Sequence, residues 1–500
     1  MKIILRGHDY KYAVEQMLLT LFPEERPVND GDEEDVVTLS LSRGNVWLTA
    51  SVVLRWKGRI TRHSCRASVS ELNGEPLNDG RVSQRILKLA FYRAGVEVLG
   101  KEPPWGAMTG VRPVKIPTKA MLAGATPTQA MAVLRKQYRV SPLRCELAMD
   151  CAQASLKIKK ELQPEEISIY VGIPFCPTRC AYCSFISADV KHALKLIEPY
   201  VEGLIREIQA AGAALKKDGL RVKSVYFGGG TPTTLSADQL DRVLTALAEH
   251  MDLSSCVEYT VEAGRPDTIT REKLAVLARH GVDRLSVNPQ TMEDSVLQAM
   301  GRDHTAEQIE DAYALVRQEG RFLVNMDLIA GLPTDSIDGF RRTMDKVLEM
   351  NPENITVHTL ALKRGATLTS GDRAPVLPGP EEVAEMLDYA WFRLRQAGYV
   401  PYYLYRQKFM SGSFENVGWC KPGCDSLYNI CMMEELQSIL SLGAGGVTKL
   451  VDTVNGSIER RANPKFAHDY LARIDQICQE KEEIPWPINC RKSISASGKT

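Results

Sequence analysis

The segment Tyr170–Ser187, YVGIPFCPTRCAYCSFIS, is the part of this 500-residue chain around which the rest is organised. Its first residues end a short apolar strand predicted over 167–173. Pro174 and Pro177 keep the backbone after that strand out of regular structure, so the cysteines that follow are predicted to lie on a loop. Its three cysteines have C-x3-C-x2-C spacing: Cys176, Cys180 and Cys183.

Three thiolates on one loop can surround a compact inorganic centre. A tetrahedral structural zinc normally needs a fourth ligand. A four-iron cluster held by three thiolates instead keeps one iron free for a substrate or cofactor. Three buried structural thiols are the plainer alternative, but the spacing directly after a strand favours a metal centre.

With Tyr182 immediately before the third cysteine, the loop resembles the cluster loop of radical S-adenosylmethionine (SAM) enzymes. The resemblance implies that Cys176, Cys180 and Cys183 hold a [4Fe–4S] cluster whose free iron is chelated by SAM. One electron from such a cluster cleaves a C–S bond and yields a 5′-deoxyadenosyl radical. The cofactors supply that chemistry, while the protein orients the reactants and excludes water.

Composition excludes several classes of protein. The chain is 44% hydrophobic and 25% charged, and 62 Lys and Arg balance 62 Asp and Glu, so no net field attracts nucleic acid or a membrane. The start lacks the apolar core of a signal peptide, and no apolar run reaches about 18 residues. Twelve cysteines without a signal peptide favour a reducing compartment. We therefore expect a cytoplasmic protein without membrane or nucleic-acid partners.

Four segments are predicted along the chain. They are a small α+β domain at 1–100, a helical connector at 101–162, a barrel at 163–365 and a lid or substrate-binding region at 366–500. The first segment shows a strand, a helix, a three-stranded meander and a second helix. A unit of this kind ahead of an enzyme could bind RNA, but the sequence shows no basic stripe.

Pro103–Lys115 contains too much Pro and Gly for regular structure. Its Trp105, Arg112 and Lys115 could contact an acidic ligand such as a propionate or phosphate. A docking turn without ligand contact is the favoured alternative. Thr126 and Ser141 are predicted to cap the two helices that follow.

Six strands alternating with helices are predicted between 163 and 365, a pattern typical of a parallel sheet. The predicted fold class is therefore α/β, with a partial (β/α)6 barrel of TIM type rather than a complete eight-fold one. An N-terminal α+β domain and a mostly helical C-terminal lid region complete it. In such a sheet the functional residues lie at the carboxyl ends of the strands.

Polar and glycine residues follow these predicted strands. Gly228–Thr231 comes after the second strand, where glycines allow a ligand close to the backbone, although a tight turn explains them equally. Glu262 ends the third strand, and its alternative role is a charge at a helix N-terminus. Gln290 ends the fourth. Asp327 ends the fifth, where an acid is costly unless it binds a ligand or a partner such as Arg302.

Six motifs in order cover residues 170–333: YVGIPFCPTRCAYC, FGGGTPT, VEAGRP, RLSVNPQ, GRDHT and DLIAGLP. This succession resembles the oxygen-independent coproporphyrinogen III oxidase family of radical SAM enzymes. By position, the resemblance implies that Tyr170, Gly229 and Glu262 contact the cluster-bound SAM. It implies that a second SAM contacts Tyr182, Gly230, Thr231, Gln290, Arg302, Asp327 and Ala361. Ala361 is the loosest of these matches.

A Tyr- and Gly-rich segment, Gly398–Gly446, follows the barrel and resembles the lid of family members. Val447, directly after its glycine turn, is a candidate contact of the adenosine. The tyrosines and arginine of YYLYR would suit a flat tetrapyrrole and its propionates, although packing is the commoner role: Tyr402, Tyr403, Tyr405 and Arg406. A second cysteine set could ligate an auxiliary cluster, although free thiols are favoured: Cys420, Cys424 and Cys431.

Two departures from the family pattern bear on function. Phe185 stands where characterised coproporphyrinogen dehydrogenases have a further cysteine, which leaves the exact tetrapyrrole open. Heme-carrying chaperone relatives have a His-Asn-x-x-Tyr-Trp motif where this chain has Tyr428–Met433, without the histidine.

The predicted function is the oxidative decarboxylation of coproporphyrinogen III to protoporphyrinogen IX, with a low-potential electron donor. A heme-binding chaperone is the first alternative. Another radical SAM reaction, on a tetrapyrrole or RNA, is the second.

Overall fold

The computed structural model describes residues 1–28, 34–183, 188–361, 376–407 and 413–487. Phe185 and the tail from Ile488 onward lie outside the described residues. The chain divides into two compact units. Unit 1 comprises Met1–Gln153 and Leu404–Glu415, and unit 2 comprises Ala154–Tyr403 and Asn416–Thr500. Most of the predicted connector therefore belongs to unit 1, and the division into four segments stays a prediction.

Unit 1 contains a four-stranded sheet and two long helices that cover one of its faces. Its first elements are β1 (Lys2–Arg6), α1 (Lys11–Leu21), β2 (Val36–Arg43), β3 (Trp47–Trp56), β4 (Arg59–Ser68) and α2 (Pro76–Leu99). The strand order is β1-β2-β3-β4; β1 and β2 are parallel and the other neighbours antiparallel. Alternate strand residues such as Leu39, Val52 and Leu54 are buried in the core with α1 and α2. The predicted α+β domain is confirmed.

Two further helices and the first part of a third complete unit 1: α3 (Lys115–Leu122), α4 (Pro127–Tyr138) and α5 (Pro142–Glu161), whose residues from Ala154 onward belong to unit 2. Thr126 caps α4 as predicted, since its hydroxyl accepts the Gln129 N–H and its own N–H donates to the Gln129 side chain. Trp105 is fully buried, and its Nε1 donates to Glu415 Oε2 at 2.6 Å. Trp105 is therefore committed to packing within unit 1, whereas ligand contact by Arg112 and Lys115 and the docking turn stay predictions.

Unit 2 begins with alternating strands and helices. They are β5 (Glu166–Ile173), β6 (Phe175–Cys176), β7 (Ala188–Asp189), α6 (Val190–Asp218), β8 (Arg221–Gly229), α7 (Ala237–His250), β9 (Glu258–Glu262), α8 (Arg271–Arg279), β10 (Arg284–Ser286), α9 (Asp294–Ala299), α10 (Ala306–Gln318), β11 (Leu323–Ala330), α11 (Ile337–Met350) and β12 (Asn354–Thr359). The strands β5, β8, β9, β10, β11 and β12 lie side by side in parallel. The predicted partial (β/α)6 sheet is confirmed, and no strand pairing among the described residues closes it into a complete barrel.

The C-terminal region adds strands as well as helices. Its elements are α12 (Pro380–Gln396), β13 (Val400–Arg406), β14 (Glu415–Cys420), α13 (Leu427–Glu434), β15 (Ile439–Leu442), β16 (Val447–Val451), β17 (Ile458–Ala462), α14 (Ala467–Ala472) and α15 (Ile474–Glu482). β14 pairs antiparallel with β12, and β15 pairs parallel with β5. The prediction of a mostly helical C-terminal region was therefore incomplete, because the region also contains five strands among its described residues. The short buried runs ENVGWC and ILSL fit strands because their apolar residues pack on both faces of the sheet.

The longest helix, α6, has 29 residues and is amphipathic. Tyr200, Val201 and Leu204 are fully buried, whereas Glu202 and Arg206 on the other face are exposed. None of the helices described here has an apolar stretch long enough to cross a membrane.

The buried carboxylate of Glu207 connects α6 to residues of the C-terminal region through hydrogen bonds and an ion pair. Glu207 Oε2 accepts the Tyr470 Oη–H at 2.6 Å and the Gly443 N–H at 2.7 Å. Its Oε1 accepts from Asn463 Nδ2 at 2.8 Å and lies 3.4 Å from Lys481 Nζ. Both charged groups are almost fully buried, so each depends on the other for neutralisation.

We predict that Lys481→Met destabilises unit 2 by about 3–5 kcal/mol, because it leaves the Glu207 carboxylate buried without a counter-charge. The double variant Glu207→Gln/Lys481→Met should lose less than the sum of the single variants. Thermal unfolding followed by circular dichroism measures both effects, with the exposed Lys465→Met as the control. Strict additivity of the two substitutions would contradict the coupling.

Candidate functional site

The cysteine loop leaves the sheet at the carboxyl end of β5. Cys176 ends β6, and the Cys183 N–H donates to the Cys180 carbonyl at 3.1 Å, which closes the turn between the second and third thiols. None of the three forms a disulfide, and all are partly exposed. Cys176 Sγ lies 3.5 Å from the hydroxyl of Thr231, so the loop packs directly against the glycine turn after β8.

Two buried guanidinium groups lie beside the second cysteine. Arg265 Nη1 donates to Thr178 Oγ1 at 2.9 Å and lies 3.9 Å from Cys180 Sγ. Arg302 hydrogen-bonds to Cys180 and to the Tyr182 hydroxyl. These two positive charges complement the negative charge that a thiolate carries as a metal ligand. Arg265 was not predicted from the sequence, although its place three residues beyond the third strand in VEAGRP was a usable signal.

The glycine turn Gly228–Gly230 is required by the protein's own backbone. A Cβ on Gly230 would lie 2.4 Å from the Phe175 carbonyl oxygen and 3.0 Å from Cys176 Sγ. Gly229 has a φ of +108°, a conformation that other residues rarely adopt. The tight-turn interpretation therefore explains these glycines, and the same turn brings their backbone to the cysteine loop.

A carboxylate and stacked tyrosines lie next to this turn. Glu262 Oε1 accepts the Tyr226 Oη–H at 2.6 Å, and the Tyr226 ring stacks between Tyr170 (6.4 Å) and Tyr428 (4.5 Å). Burial raises the pKa of Glu262 to about 7, with the nearby Asp327 charge adding to the shift. Because α8 begins only at Arg271, Glu262 is not a helix N-terminal charge, and that alternative is wrong.

Asp327 does not end the fifth strand as predicted, because β11 continues to Ala330. Its carboxylate is partnered by neighbours on its own sheet. Its Oδ1 accepts from Asn325 Nδ2 at 2.8 Å, and its Oδ2 lies 3.8 Å from His358 Nε2. Burial opposes ionisation, but hydrogen bonds from His358, Asn325 and Thr356 outweigh it and lower the pKa of Asp327. Arg302 Nη1 donates instead to the Asn288 carbonyl at 2.7 Å. The predicted alternative of an Asp327–Arg302 pair is therefore wrong.

Polar atoms without partners gather at the mouth of β10. Gln290 adopts a φ of +69°, and its N–H donates to the Asp327 carbonyl at 2.8 Å. Among the described side chains, Gln290 Oε1, Arg302 Nε and His304 Nδ1 are buried without a hydrogen-bond partner. Burial and the Arg302 charge lower the pKa of His304 to about 3, so its ring is neutral. Such atoms are costly unless a ligand supplies their partners.

Three other predicted contacts have more ordinary surroundings. Tyr182 packs against a small apolar cluster that includes Val296 and Met300. Ala361 is half-buried just beyond β12, at the last described residue before 376. Val447 is half-buried at the start of β16. Their contacts with SAM stay predictions.

The second cysteine set has the surroundings of ordinary thiols. Cys420, Cys424 and Cys431 are all free cysteines. Cys420 and Cys431 are buried, and burial raises the pKa of both thiols. Cys431 Sγ donates instead to Gln437 Oε1 at 3.4 Å. The structure therefore agrees with free thiols.

Two of the tyrosines suggested for tetrapyrrole binding, and the arginine, are committed to packing. Arg406 Nη1 donates to the Met108 carbonyl and Nη2 to the Ser413 carbonyl, each at 2.6 Å, and burial lowers its pKa to about 10. Tyr402 and Tyr403 are buried. A role for Arg406 in binding a propionate was therefore a wrong hypothesis, because its donors are already used by backbone carbonyls.

The residues present fit a cluster-and-nucleoside cofactor pair. The three thiols lie on one loop, with the guanidinium groups of Arg265 and Arg302 beside Cys180. Three thiolates would hold a [4Fe–4S] cluster and leave one iron free for the nucleoside cofactor. The unpartnered atoms of Gln290 and Arg302 offer an acceptor and a donor to a polar ligand at the same end of the sheet.

Comparison with known proteins agrees with this geometry. Residues 170–347 match the Radical SAM superfamily. Over 472 residues the chain is 38% identical to the oxygen-independent coproporphyrinogen-III oxidase-like protein HemZ of Bacillus subtilis (strain 168), across 93% of this chain and 94% of that protein. The chain belongs to the coproporphyrinogen oxidase-like family of radical SAM proteins. The resemblance drawn from the six motifs is confirmed, and the cofactors of this superfamily are a [4Fe–4S] cluster and SAM.

Other members of the family have different names. The heme chaperone HemW of Lactococcus lactis is 32% identical over 280 residues, which are 56% of this chain and 68% of that protein. The structure of coproporphyrinogen III oxidase HemN from Escherichia coli matches with a TM-score of 0.50 and 25% identity, over 65% of this chain and 72% of that one. Family membership alone therefore leaves the choice between oxidase and chaperone to the site.

We predict that Glu262→Gln makes stability less dependent on pH. The pKa of Glu262 is raised to about 7 from an ordinary value near 4.5, so ionisation of the folded protein costs stability as pH rises through this interval. Between pH ~5 and ~8 the free energy of unfolding of the wild type should fall by on the order of 1–3 kcal/mol. The variant should not show this fall. Thermal unfolding across this range tests it, with the exposed Glu249→Gln as control; parallel curves for Glu262→Gln and wild type would refute it.

Proposed function

We propose that this protein catalyses the oxygen-independent oxidative decarboxylation of coproporphyrinogen III to protoporphyrinogen IX. The observation that supports the proposal most directly is a group of buried polar side chains next to the cysteine loop. Glu262 ends β9, Gln290 follows β10 and donates its N–H to the carbonyl of Asp327 within β11, and Arg302 hydrogen-bonds to Cys180. Similarity to HemZ over almost the whole chain supports the same assignment.

Cofactor binding is assigned to the predicted residues. Cys176, Cys180 and Cys183 would hold the cluster, which with SAM supplies reductive C–S cleavage and hydrogen-atom abstraction. Tyr170, Gly229 and Glu262 would bind the cluster-bound SAM. A second SAM would be held by Tyr182, Gly230, Thr231, Gln290, Arg302, Asp327 and Ala361, and Val447 would contact adenosine.

The chain's own groups have defined tasks in this proposal. The Glu262 carboxylate would accept hydrogen bonds from the amino group of a bound SAM, while Tyr226 keeps it oriented. Gln290 Oε1 would accept and Arg302 Nε would donate, which satisfies two atoms that have no protein partner. His304, being neutral, adds no further positive charge beside Arg302.

The reaction balances with one external acceptor. Each of two propionate side chains loses a hydrogen atom from its β-carbon, then CO2 and one electron, and becomes a vinyl group. A low-potential donor supplies the electron for each C–S cleavage. A separate electron acceptor takes the electron that the substrate radical releases.

The position of α13 favours the enzyme over the heme chaperone. The stretch Tyr428–Met433, which stands where chaperone relatives have their heme motif, lies within this helix. Tyr428 and Cys431 are buried. Glu258 accepts the N–H groups of Leu427 and Tyr428 and so caps the helix from inside the sheet. An axial heme ligand from this helix would have to leave that packing.

The deciding experiment uses anaerobically reconstituted protein with SAM, a low-potential reductant, coproporphyrinogen III and an electron acceptor. We expect vinyl products by chromatography and mass spectrometry, together with 5′-deoxyadenosine. Cys180→Ser should abolish both, whereas Cys478→Ser, a half-buried thiol of α15, should retain both. Two results would contradict the proposal: stable heme binding without turnover, and 5′-deoxyadenosine formation without any porphyrin product.

A further inference from the structure

One face of the four-stranded sheet in unit 1 is open to solvent. Here it is called the outer face, and it consists of every second residue of β1–β4, starting at Lys2, Val36, Trp47 and Ile60. The intervening residues are those buried against α1 and α2. The register aligns the outward positions across all four strands.

The outer face carries basic residues and no acidic ones. Lys2, Arg6, Arg55, Arg62 and Arg66 lie on it, and its remaining positions are Ser, Thr, Val, Ile and Trp. The four arginines are exposed, and none is ion-paired with an acidic residue of the described chain. A surface with this charge pattern attracts polyanions.

The basic residues form a track that ends at an aromatic ring. Arg55 stands opposite Ile60, which makes it a diagonal neighbour of Arg62, roughly 7–8 Å away. Arg66 lies four residues after Arg62 on the same face of β4, which is a distance of roughly 13 Å. Trp47 stands opposite Ser68, next to Arg66, and is 48% exposed.

Acidic residues lie near both ends of this track. Glu34 and Asp35 precede β2, and Asp35 Oδ1 accepts the Lys57 N–H at 2.6 Å. Val36 pairs with Arg55, so these two acids lie near the Arg55 end. At the Trp47 end Glu71 Oε1 accepts the Ser68 N–H at 3.2 Å, and an ion pair with Arg85 offsets the charge of Glu71.

We propose that the outer face binds single-stranded nucleic acid. Arginine guanidinium groups bind phosphodiester oxygens, and an exposed indole offers a stacking surface for a base. Serine and threonine hydroxyls between them add hydrogen-bond donors and acceptors at sugar and phosphate. An open sheet face that combines cations with an aromatic side chain is a recurrent platform for unpaired strands.

Nucleic-acid binding by the outer face differs from the expectation drawn from the sequence, which was that the protein has no nucleic-acid partner. That expectation rested on a neutral net charge and on the lack of a basic stripe in the sequence. The arginines are separated in sequence by buried residues, so only the alternation of the strands brings them to one face. RNA and DNA share the phosphodiester chemistry, and the test distinguishes them.

Fluorescence anisotropy of the full-length protein with labelled RNA and DNA single strands of about 16 nucleotides tests the proposal. Titrations between about 50 and 200 mM salt give the number of phosphate contacts. The triple variant Arg55→Gln/Arg62→Gln/Arg66→Gln should weaken binding at least about tenfold and reduce the log–log salt slope by about 2. Trp47→Ala should weaken it about fivefold or more through lost stacking.

The control removes the same charge from a different surface. Lys157→Gln/Lys159→Gln/Lys160→Gln changes three exposed residues of α5 that are not part of the outer face, and it should leave affinity within about twofold of wild type. Hydrogen exchange on the wild type adds a readout independent of variant folding, because bound strand should protect β3 and β4. Tighter binding of RNA than DNA would identify RNA as the ligand, and the reverse would identify DNA.

Three results would overturn the proposal. The first is the absence of saturable binding to either strand at about 50 mM salt. The second is an equal loss of affinity in both triple variants. The third is binding to vesicles of anionic phospholipid without binding to nucleic acid, which would assign the face to a membrane surface. SAM cleavage should be unchanged in the outer-face variants, so failure here leaves the proposed reaction untouched.

Discussion

The close approach of two backbone segments is the constraint on which the site depends. The Gly230 N–H donates to the Ile173 carbonyl at 2.8 Å, and the Thr231 N–H donates to the Phe175 carbonyl at 2.7 Å. These bonds extend the β5–β8 pairing past the end of the sheet and hold the start of the cysteine loop against the glycine turn. Any side chain at Gly230 would meet the Phe175 carbonyl and displace Cys176. The position of the first thiol is therefore a property of the backbone.

Near the first thiol, several buried polar groups lack hydrogen-bond partners or a counter-charge from the protein. Gln290 occupies the left-handed region at φ +69°, and its Oε1 is left without a partner, although relaxed backbone and paired side chains are the norm in a core. Glu262 is held by one tyrosine, in surroundings that oppose its charge. Arg265 and Arg302 bring positive charge to Cys180. Such an arrangement is stabilised when a charged, polar ligand is bound.

The sequence predicted the elements that depend on local pattern. Six parallel strands, the cap at Thr126 and the strand-end positions of Glu262 and Gln290 follow from periodicity and turn chemistry. It did not predict contacts set by tertiary packing. The pairing of Asp327 with His358 needs neighbouring strands in register, and the burial of Arg406 needs the turn around Met108. The outer face was missed for the same reason, since its arginines meet only after the strands align.

The most direct test of the central claim is electron paramagnetic resonance of the reduced, anaerobically reconstituted protein, with iron and sulfide analysis. If three cysteines hold the cluster, we expect about four iron atoms per chain and a signal that changes when SAM is added, because one iron has no protein ligand. Replacing Cys176, Cys180 and Cys183 by alanine should remove both the iron and the signal. Retention of iron and sulfide in that triple variant, or a wild-type signal indifferent to SAM, would contradict it.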